Sequence, residues 1–157
     1  MTRALVPVPL DAVPPALTGG VVAVGNFDGV HAGHRALLDA TRHTAQRLGV
    51  PAVVLTFEPH PRTVLRPEHP VFRLTPLAAK ARLLAALGMD GLVVATFDRA
   101  FAANPASVFV DEMLVGRLKL RGAVVGYNFQ FGKGRQGSAA TLATTGERDG
   151  FLVEAIG

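Results

Sequence analysis

Short valine-rich runs alternate along this chain with longer segments whose apolar residues return every three or four positions, and that alternation leaves few architectures open. A strand covered on both faces reads as a continuous apolar run, while an amphipathic helix reads with a period near 3.6. Residues 21–24 form the first such run, and 31–48 follow as a predicted helix with Leu37, Leu38, Thr41, Ala45 and Leu48 on one face. Gly49 stands in the preferred position for a helix stop. A second strand is expected over 52–57, then an irregular stretch carrying Pro59, Pro61, Pro67 and Pro70. Thr75 with Pro76 opens a predicted helix that runs to residue 87 and is closed by Gly88. A third strand at 92–96 precedes Asn104 and Pro105, which repeat the cap-plus-proline signal for a helix to 118. A fourth strand at 123–126, a helix capped by Ser138 and a last strand at 151–156 complete the pattern. Five strands with intervening helices predict an α/β fold: a Rossmann-like, doubly wound parallel five-stranded sheet that takes ligands at the carboxyl ends of its strands.

With 157 residues, 49% of them hydrophobic, the chain can bury one substantial core, and residues 1–157 are read as one domain. Sixteen Lys and Arg against twelve Asp and Glu leave a net charge of +4, which suits an anionic partner. The basic residues are scattered and no aromatic-basic platform accompanies them, so a small phosphorylated ligand is expected and not a nucleic acid. The absence of cysteine excludes disulfides, thiolate metal sites and a cysteine nucleophile. The first residues are broken by Pro7, Pro9, Pro14 and Pro15, and no stretch approaches the ~18 apolar residues a bilayer span requires. A soluble, cytoplasmic protein without a membrane partner is the expectation; nothing in the sequence marks an oligomeric state.

The segment joining the first predicted strand to the first helix is Gly25-Asn26-Phe27-Asp28-Gly29-Val30-His31-Ala32-Gly33-His34. A strand passing through glycines into a helix start gathers free backbone N–H groups and the positive end of the helix dipole at one point, which favours bound phosphate. His31 and His34 stand three positions apart, so both imidazoles project from one side of the first helical turn, and Gly33 leaves the backbone open between them. The segment lacks the Lys and Ser/Thr of a P-loop and the spacing of the dinucleotide fingerprint. Two plainer readings stand beside it: surface histidines opening an amphipathic helix, or zinc ligands, for which no further Cys or His-carboxylate set is at hand.

The segment resembles the His-x-Gly-His signature of the class I nucleotidyltransferases. Three further stretches narrow the resemblance: Thr56-Phe57-Glu58-Pro59-His60-Pro61-Arg62, Arg73-Leu74-Thr75, and Gly126-Tyr127-Asn128-Phe129-Gln130-Phe131-Gly132. Together they are similar to the FMN adenylyltransferase module of the bifunctional bacterial FAD synthetases, the riboflavin kinase/FMN adenylyltransferases. The resemblance implies transfer of AMP from ATP to FMN, giving FAD and pyrophosphate, with Mg²⁺ on the substrate phosphates and no protein metal ligand.

Carried onto this sequence, the resemblance assigns His31 and His34 to the triphosphate as catalytic residues. Gly25, Asn26, Phe27, Asp28, Gly33, Gly126 and Asn128 join them on the nucleotide side, and His60, Arg62, Asn128 and Phe129 fall to FMN. Lys133 and Arg135 are read as added positive charge near phosphates or as solvated loop residues. The family's Ser/Thr-rich segment with an Arg, and its riboflavin kinase domain, fall outside these residues. Other class I nucleotidyltransferases, acting on CTP or on a pantetheine phosphate, and a non-catalytic flavin or nucleotide binder stay open at this point.

Overall fold

Strands built of valine, alanine and leucine are stable only where both of their faces are covered, and the fold supplies that cover. The computed structural model describes residues 4–27, 32–58, 68 and 76–157. Its sheet strands are β1 (Pro7–Pro9), β2 (Val21–Val24), β3 (Ala52–Glu58), β4 (Gly91–Thr96), β5 (Gly122–Gly126) and β8 (Leu152–Ile156). They lie in the order β1-β4-β3-β2-β5-β8 and every pairing is parallel. Side chains alternate along each strand. Val21, Ala23, Ala52, Val54, Leu92 and Val124 face Leu37, Leu38 and Ala45 of α1 (Ala32–Leu48) together with Ala81 and Leu84 of α2 (Leu77–Ala86). Val22, Val24, Val53, Leu55, Val93, Ala123 and Val125 face Leu114, Leu118 and Leu142 on the opposite side.

Among the described residues the sheet has six strands where the sequence pattern promised five. The added strand is β1, whose Pro7 and Val8 pair with Leu92 and Val93 at the sheet edge. Two prolines in three residues read as a breaker, yet an edge strand needs donors on one side only, so proline is tolerated there. A second addition is the small antiparallel ribbon of β6 (Gln130–Phe131) and β7 (Gly137–Ser138).

Helix boundaries follow local chemistry. Gly49 and Gly88 adopt φ of +70° and +88° just past α1 and α2, values that cost a side chain-bearing residue strain. Ser138 caps α5 (Ala139–Asp149): its Oγ accepts from the Thr141 backbone N–H and the Thr141 hydroxyl accepts from the Ser138 N–H, a reciprocal capping box. A short helix absent from the sequence reading, α3 (Arg99–Ala102), starts where Asp98 accepts from the Phe101 N–H at 2.7 Å. After it comes α4 (Ala106–Val108), preceded by Pro105, with Asn104 one residue further back. It continues as a widened π-type helix over Phe109–Arg117, closed by the Leu118 N–H on the Met113 carbonyl at 3.0 Å.

The strand order reverses between β2 and its neighbours. From β2 the chain runs through α1 to β3 on one side, while β5 pairs on the other side and feeds α5 on the opposite face. A cleft opens at the carboxyl ends of two strands whose connections part in this way. The turns after β2 and β5 therefore form the place to look for chemistry.

Candidate active site

Val24 ends β2 fully buried, and the three residues that follow must leave the sheet and enter α1. Gly25 keeps one sheet bond, donating its N–H to the Leu55 carbonyl at 3.1 Å. A Cβ at Gly25 would lie 3.2 Å from the Phe27 ring, so the side chain is absent because that ring folds back over it. Phe27 takes a left-handed φ of +52°, uncommon outside glycine, and buries its ring almost completely, at 1% exposure. Its edge meets the His34 imidazole, with centroids 5.4 Å apart and planes at 62°. The turn thereby fixes one face of the His34 ring and leaves the residue half-buried near the start of α1.

Asn26 is held from below. Its backbone carbonyl accepts from the Lys80 Nζ at 2.6 Å and from the Thr56 hydroxyl at 3.2 Å, while its own Oδ1 is buried with no hydrogen bond. A buried, unmatched acceptor costs free energy unless something else meets it. Asn26 also lines a cavity of about 320 Å³, which opens on the α4 face of the sheet.

That cavity is aromatic. Phe57 at the end of β3, Phe97 after β4, Phe101 on α3, Phe109 on the π-type helix, and Phe129 and Phe131 after β5 all line it. Their rings touch in series: Phe57 meets Phe97, Phe101 and Phe109 at 5.9–6.3 Å, and Phe131 stacks beside Phe129 at 5.6 Å. Met113, Asn104, Asn128, Gln130, Gly132 and Arg135 supply the remaining wall. An apolar cleft of this kind with a few polar groups at its rim fits a planar, heteroaromatic ligand.

The wall made by residues 127–138 is folded down onto α4. The Phe129 N–H bonds the Gly126 carbonyl at 3.0 Å, turning the chain at Asn128, and the Lys133 N–H bonds the Asn104 carbonyl at 2.8 Å. Gly132 permits the approach, because a Cβ there would sit 2.6 Å from the Ala106 Cα. At the rim, the exposed Arg135 guanidinium donates to the Gln130 Oε1 at 3.2 Å.

Of the residues singled out by sequence, Gly25, Asn26 and Phe27 lie together after β2, and His34, preceded by Gly33 in α1, meets them through the Phe27 ring. Gly126, Asn128 and Phe129 lie across from them at the end of β5, and Asn26, Asn128 and Phe129 share the aromatic cavity. Asp28, His31, His60 and Arg62 lie outside the described residues. Asn128 is exposed and Phe129 half-buried. The sequence reading did not single out Phe57, Phe97, Phe101, Phe109, Phe131, Met113 or Asn104 as cavity residues. A signal for two of them was present: Phe57 stands at the end of a parallel strand and Phe97 directly after one, where ligand clefts form.

Among the described residues, no group of three His, Cys, Asp or Glu side chains is arranged to hold a metal ion, and no helix is long and apolar enough to cross a membrane.

The model of the FAD synthetase family matches residues 13–157. The chain is 41% identical over 133 residues to a bifunctional riboflavin kinase/FMN adenylyltransferase of Escherichia coli, covering 85% of this chain and 42% of that protein. The relative of the same description in Haemophilus influenzae is 40% identical over 138 residues, with 88% and 45% covered. In Bacillus subtilis the figures are 37% over 123 residues, with 78% and 39% covered. The chain thus spans less than half the length of these relatives. Among solved structures, that of a macrolide-efflux protein from Streptococcus pneumoniae superposes with a TM-score of 0.84 at 25% identity, over 97% of this chain and 50% of that one.

Proposed function

This chain belongs to the FAD synthetase family, and on that premise we propose that it transfers AMP from ATP to FMN, releasing pyrophosphate and forming FAD. The observation that carries the reading is the junction at Asn26: on one side the strand-to-helix turn with His34, on the other a cavity walled by six phenylalanine rings. A triphosphate suits the first and an isoalloxazine ring suits the second. The two ligands then meet end to end at the mouth of β2 and β5.

In the reaction an oxygen of the FMN phosphate attacks the α-phosphorus of ATP; that P–O bond forms while the bond to the bridging oxygen of the β-phosphate breaks, and pyrophosphate leaves with the charge. No covalent enzyme intermediate is needed, so the protein's contribution is alignment and stabilisation of the developing charge. His34, its ring packed against Phe27, is assigned to the triphosphate, and His31 is assigned the same role from its spacing. A polyanion alongside favours the protonated imidazole, so the pair acts as cations when ATP is bound. Backbone N–H groups at the start of α1 supply further donors. Magnesium enters as part of the substrate, on the phosphate oxygens. Asn128 serves both ligands from the end of β5; His60 and Arg62 are assigned to FMN.

The test uses the full-length protein with FMN and ATP labelled at the α-phosphate. Label is expected in FAD, and His34→Ala is expected to lower kcat by about 10²–10³, the scale of a lost charge stabiliser. Turnover unchanged by His34→Ala refutes the assignment of that residue. Transfer from CTP, or to pantetheine phosphate, with FMN ignored, replaces the flavin reading by another nucleotidyltransferase. ATP and FMN binding without pyrophosphate release replaces it by a binding module.

A further inference from the structure

Lysine is rarely driven fully into a protein interior, because its amino group must find partners there to replace water. Lys80 is 0% exposed. It sits on the buried side of α2 with Ala81 and Leu84, and its Nζ donates to the Asn26 backbone carbonyl at 2.6 Å. The backbone of that turn is demanding: Gly25 is still bonded to β3, and Phe27, two residues on, is held at φ +52°. A short segment that leaves the sheet and reverses into a left-handed residue keeps its shape only if neighbouring groups fix it. The Thr56 hydroxyl on β3 is the second donor to the same carbonyl, at 3.2 Å. The amino group of α2 and the hydroxyl of β3 thus converge on one oxygen, directly beneath the residue that joins the His34 turn to the aromatic cavity.

We propose that Lys80 is a positioning residue for nucleotidyl transfer: by fixing the Asn26 carbonyl it holds the Gly25–Phe27 turn, and through Phe27 the His34 ring, in the form that receives the triphosphate. The inference rests on the proposed function and deepens it. Its consequence is selective, since the turn is common to both ligands only at Asn26, whereas the flavin cavity is walled by rings from other elements.

The experiment uses the full-length protein with Lys80→Met, Lys80→Arg and Thr56→Val. Binding of a non-hydrolysable ATP analogue is followed by calorimetry, FMN binding by flavin fluorescence, and turnover in parallel. Lys80→Met is expected to weaken the nucleotide about tenfold or more, the scale of one lost hydrogen bond, and to lower kcat, with FMN affinity changed less than about twofold. Lys80→Arg, which keeps a donor, is expected to recover part of the loss. Thr56→Val, which removes the longer bond without touching the lysine, is expected to shift nucleotide affinity in the same direction by less. If Lys80→Met does not fold, Thr56→Val decides alone: nucleotide affinity lost with flavin affinity kept supports the proposal, and both unchanged overturns it. A folded Lys80→Met protein that melts lower but binds the analogue and turns over like the wild type also overturns it, leaving Lys80 a structural residue. Failure of the wild-type protein to bind the analogue is a different result, which removes the proposed function itself.

Discussion

Replacing Gly132 by alanine separates the wall of the aromatic cavity from the rest of the fold. Gly132 adopts φ +80° and ψ +171°, a region that side chain-bearing residues avoid at a cost of about 1–3 kcal/mol. The added Cβ would also lie 2.6 Å from the Ala106 Cα and 2.7 Å from its N, backbone atoms that cannot swing aside, which adds about 1–3 kcal/mol of overpacking. Against this strain of about 2–6 kcal/mol, the Lys133 to Asn104 backbone bond that ties the loop to α4 contributes about 1 kcal/mol net. The strain wins, and the loop lifts. Even 2 kcal/mol shifts a closed-to-open ratio about 30-fold, and apparent flavin affinity falls with the closed fraction. Gly134 is the control: φ is +61°, but no atom lies within 4 Å of its added Cβ, so alanine there costs only about 1 kcal/mol of left-handed strain. By flavin fluorescence titration, Gly132→Ala should bind FMN at least about tenfold more weakly and Gly134→Ala nearly as wild type. Equal affinities for the two variants would show the close approach to Ala106 to be irrelevant to the cavity.

Phe101→Ala removes a ring in contact with Phe57, Phe97 and Phe109, and should weaken FMN by about 1–3 kcal/mol of stacking while leaving ATP-analogue affinity unchanged in calorimetry. Ser138→Ala breaks the capping box of α5 and should cost about 1 kcal/mol in urea unfolding without altering turnover. The hydrogen bond from Arg148 holds the Asp149 carboxyl below the usual carboxylate range, so what it contributes to stability is present above that range and fades as pH falls through the lowered value. Both side chains are solvated, so the difference in Tm between wild type and Asp149→Asn at neutral pH should vanish near 1 M salt, where the Debye length is about 3 Å.

Much of the architecture was legible because it rests on local rules. Val21–Val24 could hardly be anything but a buried strand, Gly49 and Gly88 stop helices that no other residue stops as cheaply, and Ser138 announces a cap three residues ahead of Thr141. The edge strand at Pro7–Pro9 was hidden because its pairing with β4 is purely tertiary: proline chemistry argues against a strand until the position in the sheet is known. The widened helix at Phe109–Arg117 has no composition of its own that distinguishes it from an ordinary helix. At the site, the Gly25 to His34 segment was readable as a candidate phosphate turn from the residue types and spacing alone. The cavity was not, since its six phenylalanines come from β3, the stretch after β4, the π-type helix and the loop after β5, and converge only after the sheet forms. Lys80 was equally silent: on a helix of alanine and leucine a lone lysine reads as solvated, and its burial is a consequence of how α2 docks.

A co-crystal structure of the full-length protein with FMN and a non-hydrolysable ATP analogue puts the account to its most direct trial. The triphosphate is expected over the Gly25–Phe27 turn beside His34, the isoalloxazine among Phe57, Phe101, Phe109 and Phe131, and an FMN phosphate oxygen in line with the α-phosphorus at about 3–3.5 Å. A flavin bound outside that cavity, or phosphates lying away from the mouth of β2 and β5, would contradict it.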